Sequence, residues 1–157
     1  MKKIIMVSTN NTCRSFIAES LLRQLLLDAH QKNIEVISRG LVVLFPEPVH
    51  VKAADMVIQK CGIESLDFQS AQLTQEEVEQ SDLILTMTEE QKEKILEEYH
   101  GYKEIATLNE YASVEGAIID PYGMEDDDYE RCFEQIAHLV KKIWEERLGG
   151  NEMIGIG

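Results

Sequence analysis

The chain is short of basic residues. Its 157 residues include 15 lysines and arginines against 29 aspartates and glutamates, which gives a formal net charge of −14. A surface that binds nucleic acid needs clustered positive charge, so the composition argues against DNA or RNA as a partner. It disfavours an anionic membrane surface for the same reason. Any anion-binding site must therefore be local and built from a few groups.

Long apolar runs and paired cysteines are also missing. No stretch approaches the roughly 20 apolar residues of a membrane span, and the apolar opening at 1–7 is too short for a signal peptide. Cys13, Cys61 and Cys132 are widely spaced, and the histidines show no metal-ligand spacing. We therefore expect a cytoplasmic protein with no disulfide scaffold, no metal and no other cofactor, in which Cys61 and Cys132 are small core residues.

The patterns that are present predict one α/β domain over residues 1–148. Apolar segments predict strands at 3–8, 35–38, 82–87 and 104–108. Helical periodicity and capping boxes predict the helices, which are expected at 17–29, 52–60, after Thr74, from Thr88 to about 99, and at 126–148. The inner face of the last helix is predicted to consist of Tyr129, Phe133, Ile136, Ala137, Val140 and Trp144. Strands that alternate with helices favour a three-layer sandwich, a four-stranded parallel sheet with helices on both faces. The segment from 108 to 123 is predicted to be a loop.

Residues 149–157 break this pattern. After two glycines the chain ends in Met153-Ile154-Gly155-Ile156-Gly157, which is apolar and strand-like. We expect 149–157 to be a linker or tail, with a frayed terminus and the start of a further α/β domain as the two alternatives. The ending resembles the opening of ribose-5-phosphate isomerase B-type enzymes.

The most informative segment lies between the first strand and the first helix. A loop in this place points free backbone N–H groups at one spot, and the helix dipole adds positive potential there. Arg14 can supply a planar bidentate donor for two phosphate oxygens. The loop contains neither glycine nor a Gly-Lys-Ser/Thr sequence, so it is not a dinucleotide fingerprint or a Walker A loop. It predicts a site for phosphate or sulfate made of Thr9, Asn10, Asn11, Thr12, Cys13, Arg14 and Ser15. A capped turn with Arg14 in a surface ion pair is the alternative.

This segment resembles the signature of the low-molecular-weight protein tyrosine phosphatase family, in which a strand is followed by a cysteine, five residues, Arg, Ser and a helix. Asp120-Pro121-Tyr122-Gly123 resembles the late Asp-Pro-aromatic motif of the family, roughly 105 residues further along. The resemblance covers residues 1–148. It implies that Arg14 binds phosphate, Ser15 stabilises the nucleophile, Asn11 holds the loop and Asp120 is the general acid. Tyr122 would form an apolar wall of the cleft. The implied reaction is hydrolysis of a phosphorylated protein through a phosphocysteine intermediate.

Ser8 stands where the family has its nucleophilic cysteine. A hydroxyl without an adjacent base is a weak nucleophile, so we expect the chain to bind phosphate and barely turn over. Ser8 is either an engineered substitution or the mark of a natural phosphate-binding pseudoenzyme. Because Arg14, Ser15 and Asp120 all fit the catalytic pattern, the first explanation is favoured.

Three further positions depart from the family pattern. Asn10 replaces a usual glycine, and asparagine tolerates a left-handed backbone better than most residues. Phe16 replaces a usual proline. Phe68 lies near the place where many members carry a histidine that supports the loop through hydrogen bonds.

Three functions follow from the resemblance. A phosphotyrosine phosphatase is the first, and a protein-arginine phosphatase is the second. Thr12 points to the second, because bacterial arginine phosphatases of this family resemble this loop in carrying threonine there. The third is a non-catalytic module that binds a phosphorylated ligand. Arsenate reduction is disfavoured because no suitable cysteine pair lies near 82–85.

Overall fold

Four parallel strands, hydrogen-bonded in the order β2-β1-β3-β4, form the frame of the molecule. They are β1 (Lys2–Ser8), β2 (Ile34–Gly40), β3 (Leu83–Thr86) and β4 (Ile105–Thr107). The structure is a computed structural model that describes residues 1–62 and 67–150. At the end of β1, Ser8 is paired with Gly40 and Val7 with Thr86, so the carboxyl ends of three neighbouring strands meet at one edge. The predicted four-stranded parallel sheet is confirmed.

In the described residues, six helices connect and cover the strands. They are α1 (Arg14–Asp28), α2 (Val51–Cys61), α3 (Gln75–Gln80), α4 (Glu89–Glu98), α5 (Leu108–Tyr111) and α6 (Asp126–Arg147). None of the helices within the described ranges has both the length and the apolar character that a membrane crossing requires. Of the predicted tail at 149–157, residues 151–157 lie outside the described residues, so both alternatives for it, a frayed terminus and the start of a further domain, stay predictions.

The alternation of side chains along β1 explains the three layers. Ile4 and Met6 point to one face, where they join the large core that α1, α2 and α6 cover. Ile5 and Val7 point to the other face and join a smaller core with residues of α3 and α4. All four side chains are buried. Burial of such a side chain contributes about 1.5–3 kcal/mol, so a polar residue at any of these positions would break the packing of a layer.

Capping boxes start the short helices, as predicted for α3 and α4. The Thr74 hydroxyl accepts the backbone N–H of Glu77, and the Glu77 carboxylate accepts the N–H of Thr74 in return. A third capping box joins Thr107 and Glu110 and starts α5. The prediction of an unbroken loop from 108 to 123 is therefore wrong over Leu108–Tyr111, and β4 ends earlier than predicted because Thr107 caps this helix.

The last helix carries the core stripe predicted for it. Its buried side chains include Tyr129, Phe133, Ile136, Val140 and Trp144. Cys132 on the same helix is buried, and Cys61 at the end of α2 is half-buried against the same core. Both cysteines are thus small core residues, as expected.

Candidate active site

The loop between β1 and α1 lies at the carboxyl edge of the sheet and lines a small cleft from Ser8 to Arg14. In the part of the chain that the structure describes, the backbone N–H groups of Asn10, Thr12, Cys13 and Arg14 have no acceptor. Since α1 begins at Arg14, its positive dipole end faces the same cleft. Free N–H groups at a helix start form an anion-binding arrangement.

The floor of the cleft is the side chain of Ser8, which is 3% exposed. Its Oγ lies 2.6 Å from Ser15 Oγ and accepts the backbone N–H of Asn11 at 3.2 Å. The Asn11 side-chain amide donates to Ser15 Oγ at 2.9 Å, which leaves the Ser15 hydrogen available to donate to Ser8. Two donors therefore converge on Ser8 Oγ, an environment that stabilises negative charge on that atom.

Asn11 holds the shape of the loop. Its φ of 59° is left-handed, its side chain is fully buried, and its Oδ1 accepts the backbone N–H of Ala71 at 3.0 Å. Asparagine is one of the few residues besides glycine that adopts this conformation at low cost. Asn10, which stands where the family pattern has glycine, does not have a positive φ, so its place in the loop does not depend on that tolerance. The left-handed residue of the loop is its neighbour.

The end of β2 approaches the loop closely at Gly40. A Cβ there would lie 3.0 Å from the Thr9 carbonyl oxygen, 3.0 Å from Asn11 Cβ and 2.5 Å from Val43 Cγ2. The next residue, Leu41, donates its backbone N–H to the carbonyls of Ser8 and Thr9. Only a residue without a side chain leaves room for this contact, which supports the loop from one side.

Arg14 connects the loop to the segment that carries Asp120. One terminal nitrogen of Arg14 donates to the Ile118 carbonyl at 2.7 Å, and the other lies 3.8 Å from Asp120 Oδ2. Arg14 is buried, which excludes the alternative of a surface ion pair, whereas the Asp120 side chain is 48% exposed. Asp120 Oδ1 accepts the backbone N–H of Tyr122 at 3.1 Å. Two motifs far apart in sequence thus meet in one cleft, as predicted.

Aromatic rings form the walls of this cleft. Tyr122 is 75% exposed and packs edge-on against His50, with 6.0 Å between ring centroids. His50 stacks on Tyr129 at 5.2 Å, and the Lys52 ammonium lies 4.9 Å from the centroid of the Tyr129 ring. The backbone N–H of His50 also donates to the Thr12 carbonyl at 2.9 Å, which fixes the loop.

Sequence reasoning missed two of these cleft residues. Tyr129 was predicted only as part of the inner face of α6, and its burial raises the pKa of its hydroxyl. His50 belongs to no motif, and it enters the cleft because the preceding loop returns to the sheet edge just before α2. Only the helical periodicity at Tyr129 offered a signal, and that signal indicated packing.

Cys13 also lines the cleft, but it is a poor nucleophile. Burial raises its pKa to about 12, and the nearby Cys132 and Asp120 add to this rise while Arg14 opposes it. Burial likewise raises the pKa of Cys132 to about 11. Because the thiolate is the reactive form, both cysteines are inert at neutral pH.

Two of the departures from the family pattern contact each other. The Phe16 and Phe68 rings pack at 4.7 Å between centroids with a tilt of 52°. Phe16 is buried at the start of α1, directly behind the loop. Phe68 therefore packs by its aromatic ring on the first turn of α1, which continues directly from the loop.

Within residues 1–62 and 67–150, no three histidine, cysteine, aspartate or glutamate side chains are grouped so that they could hold a metal ion. Among the described residues that line the cleft, Arg14 carries a positive charge.

Comparison with known proteins decides the family. Residues 3–152 match the family model described as low molecular weight phosphotyrosine protein phosphatase. The chain belongs to this family. Among curated members, the low molecular weight protein-tyrosine-phosphatase PtpB of Staphylococcus haemolyticus is 33% identical over 141 residues, which are 90% of this chain and 96% of PtpB.

Solved structures of family members agree with the fold. A cysteine-to-serine mutant of the YwlE arginine phosphatase, with a phosphorylated active-site serine, superposes with a TM-score of 0.85 at 29% identity. The match covers 96% of this chain and 99% of that one. The tyrosine phosphatase Wzb of Escherichia coli K30, in complex with sulphate, has a TM-score of 0.80 at 26% identity over 94% of this chain and 99% of its own. The solved structures that resemble this chain thus include both a tyrosine phosphatase and an arginine phosphatase.

Proposed function

We propose that this domain is a phosphoprotein phosphatase of the phosphotyrosine type, and that its present form, with Ser8 at the nucleophile position, binds phosphate and barely turns over. The observation that carries the proposal is the position of Ser8 Oγ. It lies at the floor of the cleft, 2.6 Å from Ser15 Oγ and 3.2 Å from the Asn11 backbone nitrogen. A nucleophile held by two donors beneath an arginine and free N–H groups suits phosphoryl transfer.

Arg14 and the loop would bind the phosphoryl group. The bond to Ile118 anchors the guanidinium at the cleft, and the loop residues whose backbone N–H groups have no acceptor within the described residues line the same cleft. These donors neutralise the transferring group without a metal. The sulphate complex of Wzb supports an oxyanion site in this family.

With a cysteine at position 8, the reaction has two steps. The thiolate attacks phosphorus, an S–P bond forms, and the P–O bond to the substrate breaks while Asp120 protonates the departing oxygen. Asp120 then accepts a proton from a water molecule, which attacks phosphorus. The S–P bond breaks, and phosphate leaves with the thiolate restored. The 48% exposure of Asp120 and its place beside Arg14 suit this acid–base role.

Ser8 stops this cycle because it has no base. Within the described residues, the partners of Ser8 Oγ are Ser15 Oγ and the backbone N–H of Asn11, and neither accepts a proton at neutral pH. The phosphorylated serine in the YwlE mutant supports slow transfer to a serine in this place. An alkoxide is a much poorer leaving group than a thiolate, so we expect at most one slow phosphorylation without release.

A protein-arginine phosphatase is the second candidate, and Thr12 favours it. Thr12 lines the cleft with its carbonyl fixed by His50, and its hydroxyl has no partner within the described part of the chain. A free hydroxyl near phosphorus suits a polar guanidinium leaving group better than a phenol. The likeness to the YwlE arginine phosphatase supports the same reading.

Substrate comparison in the Ser8→Cys protein tests both candidates. The domain should hydrolyse phosphotyrosine peptides, and Thr12→Val should change that rate little because valine keeps the shape and removes only the hydroxyl. If phosphoarginine is the preferred substrate and Thr12→Val selectively lowers its turnover, the arginine function replaces the tyrosine function.

A further inference from the structure

Gln91 reaches from α4 to the phosphate-binding loop. Its side chain is buried, and its Oε1 accepts the backbone N–H groups of Met87 at 2.9 Å and Thr88 at 3.1 Å. Its Nε2 donates to Thr9 Oγ1 at 3.1 Å. Turning the amide over would place its NH₂ against two N–H donors, so the amide orientation is fixed.

The fixed amide determines where the Thr9 hydrogen points. Thr9 Oγ1 accepts the hydrogen bond from Gln91, so its own hydrogen must be directed elsewhere. Thr9 lines the cleft, and within residues 1–62 and 67–150 no acceptor is bonded to its hydroxyl. The hydrogen is therefore available to an anion in the cleft.

We propose that the Thr9 hydroxyl donates a hydrogen bond to a non-bridging oxygen of the bound phosphoryl group, and that Gln91 is the positioning residue that directs it. This inference rests on the proposed function, since the ligand is a phosphoryl group. It adds a side-chain donor to the backbone donors and Arg14. It also gives the capping residue of α4 a second role, because the amide that caps the helix orients the loop.

Phosphate binding to the Ser8 protein tests the inference by calorimetry. Thr9→Val removes the hydroxyl while keeping the shape, and we expect it to weaken phosphate binding about tenfold, the usual effect of losing a hydrogen bond to a charged group. Thr9→Ser keeps the hydroxyl and should bind phosphate within about twofold of the parent.

Gln91→Glu tests whether Gln91 directs the Thr9 hydroxyl or only caps α4. The carboxylate still accepts the N–H groups of Met87 and Thr88, so α4 stays capped, but it now takes the hydrogen of Thr9 away from the cleft. We expect about tenfold weaker phosphate binding with Thr9 present and less than about twofold weaker binding in the Thr9→Val background. Gln59→Glu, at an exposed position of α2, controls for the added negative charge, and thermal unfolding checks that each variant folds.

Two results would overturn the inference but not the proposed function. One is a Thr9→Val protein that binds phosphate as tightly as the parent. The other is a Gln91→Glu substitution that weakens phosphate binding equally with and without the Thr9 hydroxyl. Absence of phosphate binding by the parent protein would overturn the proposed function and the inference with it. A tenfold loss in both single variants, without a further loss in the double variant, supports the inference.

Discussion

Replacing Ser8 by cysteine should turn a phosphate-binding protein into an enzyme. The new sulfur would take the place of Ser8 Oγ, where the Ser15 hydroxyl and the Asn11 N–H converge. Arg14 and the N-terminus of α1 add positive potential at the same point. These are the surroundings that lower a thiol pKa from about 8.5 into the range of about 4–7, so that most of the sulfur is thiolate at pH 7.

The size of the gain follows from what a nucleophile contributes. Removing the nucleophile of a hydrolase lowers kcat by a factor on the order of 10⁶, which corresponds to about 8 kcal/mol in the activation free energy. The Ser8 hydroxyl is itself a slow nucleophile, so the gain should be smaller than this factor. We expect Ser8→Cys to raise kcat by at least about 10⁴-fold. The thiolate adds negative charge next to the anion, so phosphate affinity should stay equal or fall. The gain therefore lies in kcat and not in binding.

Hydrolysis of an aryl phosphate, followed by absorbance from pH 5 to 8, measures the gain, and phosphoarginine serves as the second substrate. Ser8→Ala is the matched control, because it removes the nucleophile and leaves Arg14 and the loop in place. If the Ser8→Cys protein binds phosphate but hydrolyses neither substrate, the enzyme interpretation is refuted. A non-catalytic module that binds phosphorylated ligands then becomes the better account.

Four further predictions concern the cysteines, the loop and the proposed general acid. Cys13 and Cys132, with pKa values raised to about 12 and about 11, should resist iodoacetamide at pH 7 to 8 in the native protein; mass spectrometry showing rapid alkylation would contradict this. Since the unfolded chain ionises these thiols above about pH 8.5 while the folded chain does not, the free energy of unfolding in denaturant titrations should fall from about pH 9 toward 12. Gly40→Ala should cost about 1–3 kcal/mol of stability and weaken phosphate binding, because its Cβ would press on the loop. Gly62→Ala, whose Cβ at a φ of 70° would lie within 4 Å of no atom of the described residues, should cost about 1 kcal/mol and leave phosphate binding unchanged. In the active cysteine variant, Asp120→Asn should slow hydrolysis of a substrate with a poor leaving group by about 10²–10⁴-fold, and it should slow hydrolysis of an activated aryl phosphate far less. Equal losses of rate for the two substrates would argue against the acid role of Asp120.

Much of the fold follows from local patterns that tertiary packing did not override. The buried first strand, the helix stripe at Tyr129 and Trp144, and the capping boxes at Thr74 and Thr88 each predicted an element that the structure contains. The missed helix at Leu108–Tyr111 had the same capping signal, but a single turn has too little apolar periodicity to be noticed.

The cleft was predictable only where a motif marked it. Arg14 and Asp120 stood in recognisable segments, and the structure places their side chains 3.8 Å apart. His50 and Gln91 had no such mark. Their places depend on how a loop returns to the sheet edge and on which way a capping amide faces, and both are set by tertiary contacts. Gln91 illustrates the difficulty, because its sequence context predicted a helix cap and gave no sign of the loop 82 residues away.

The aromatic pair behind the loop has a consequence for how the cleft responds to acidity. A histidine at the position of Phe68 would change charge near pH 6.5 and alter the backing of the loop as it did so. Phe68 has no titratable group, so its contact with Phe16 should not respond to protonation. This part of the backing should therefore persist from about pH 5 to 8, so that a pH dependence measured in this range does not originate in the Phe16–Phe68 pair.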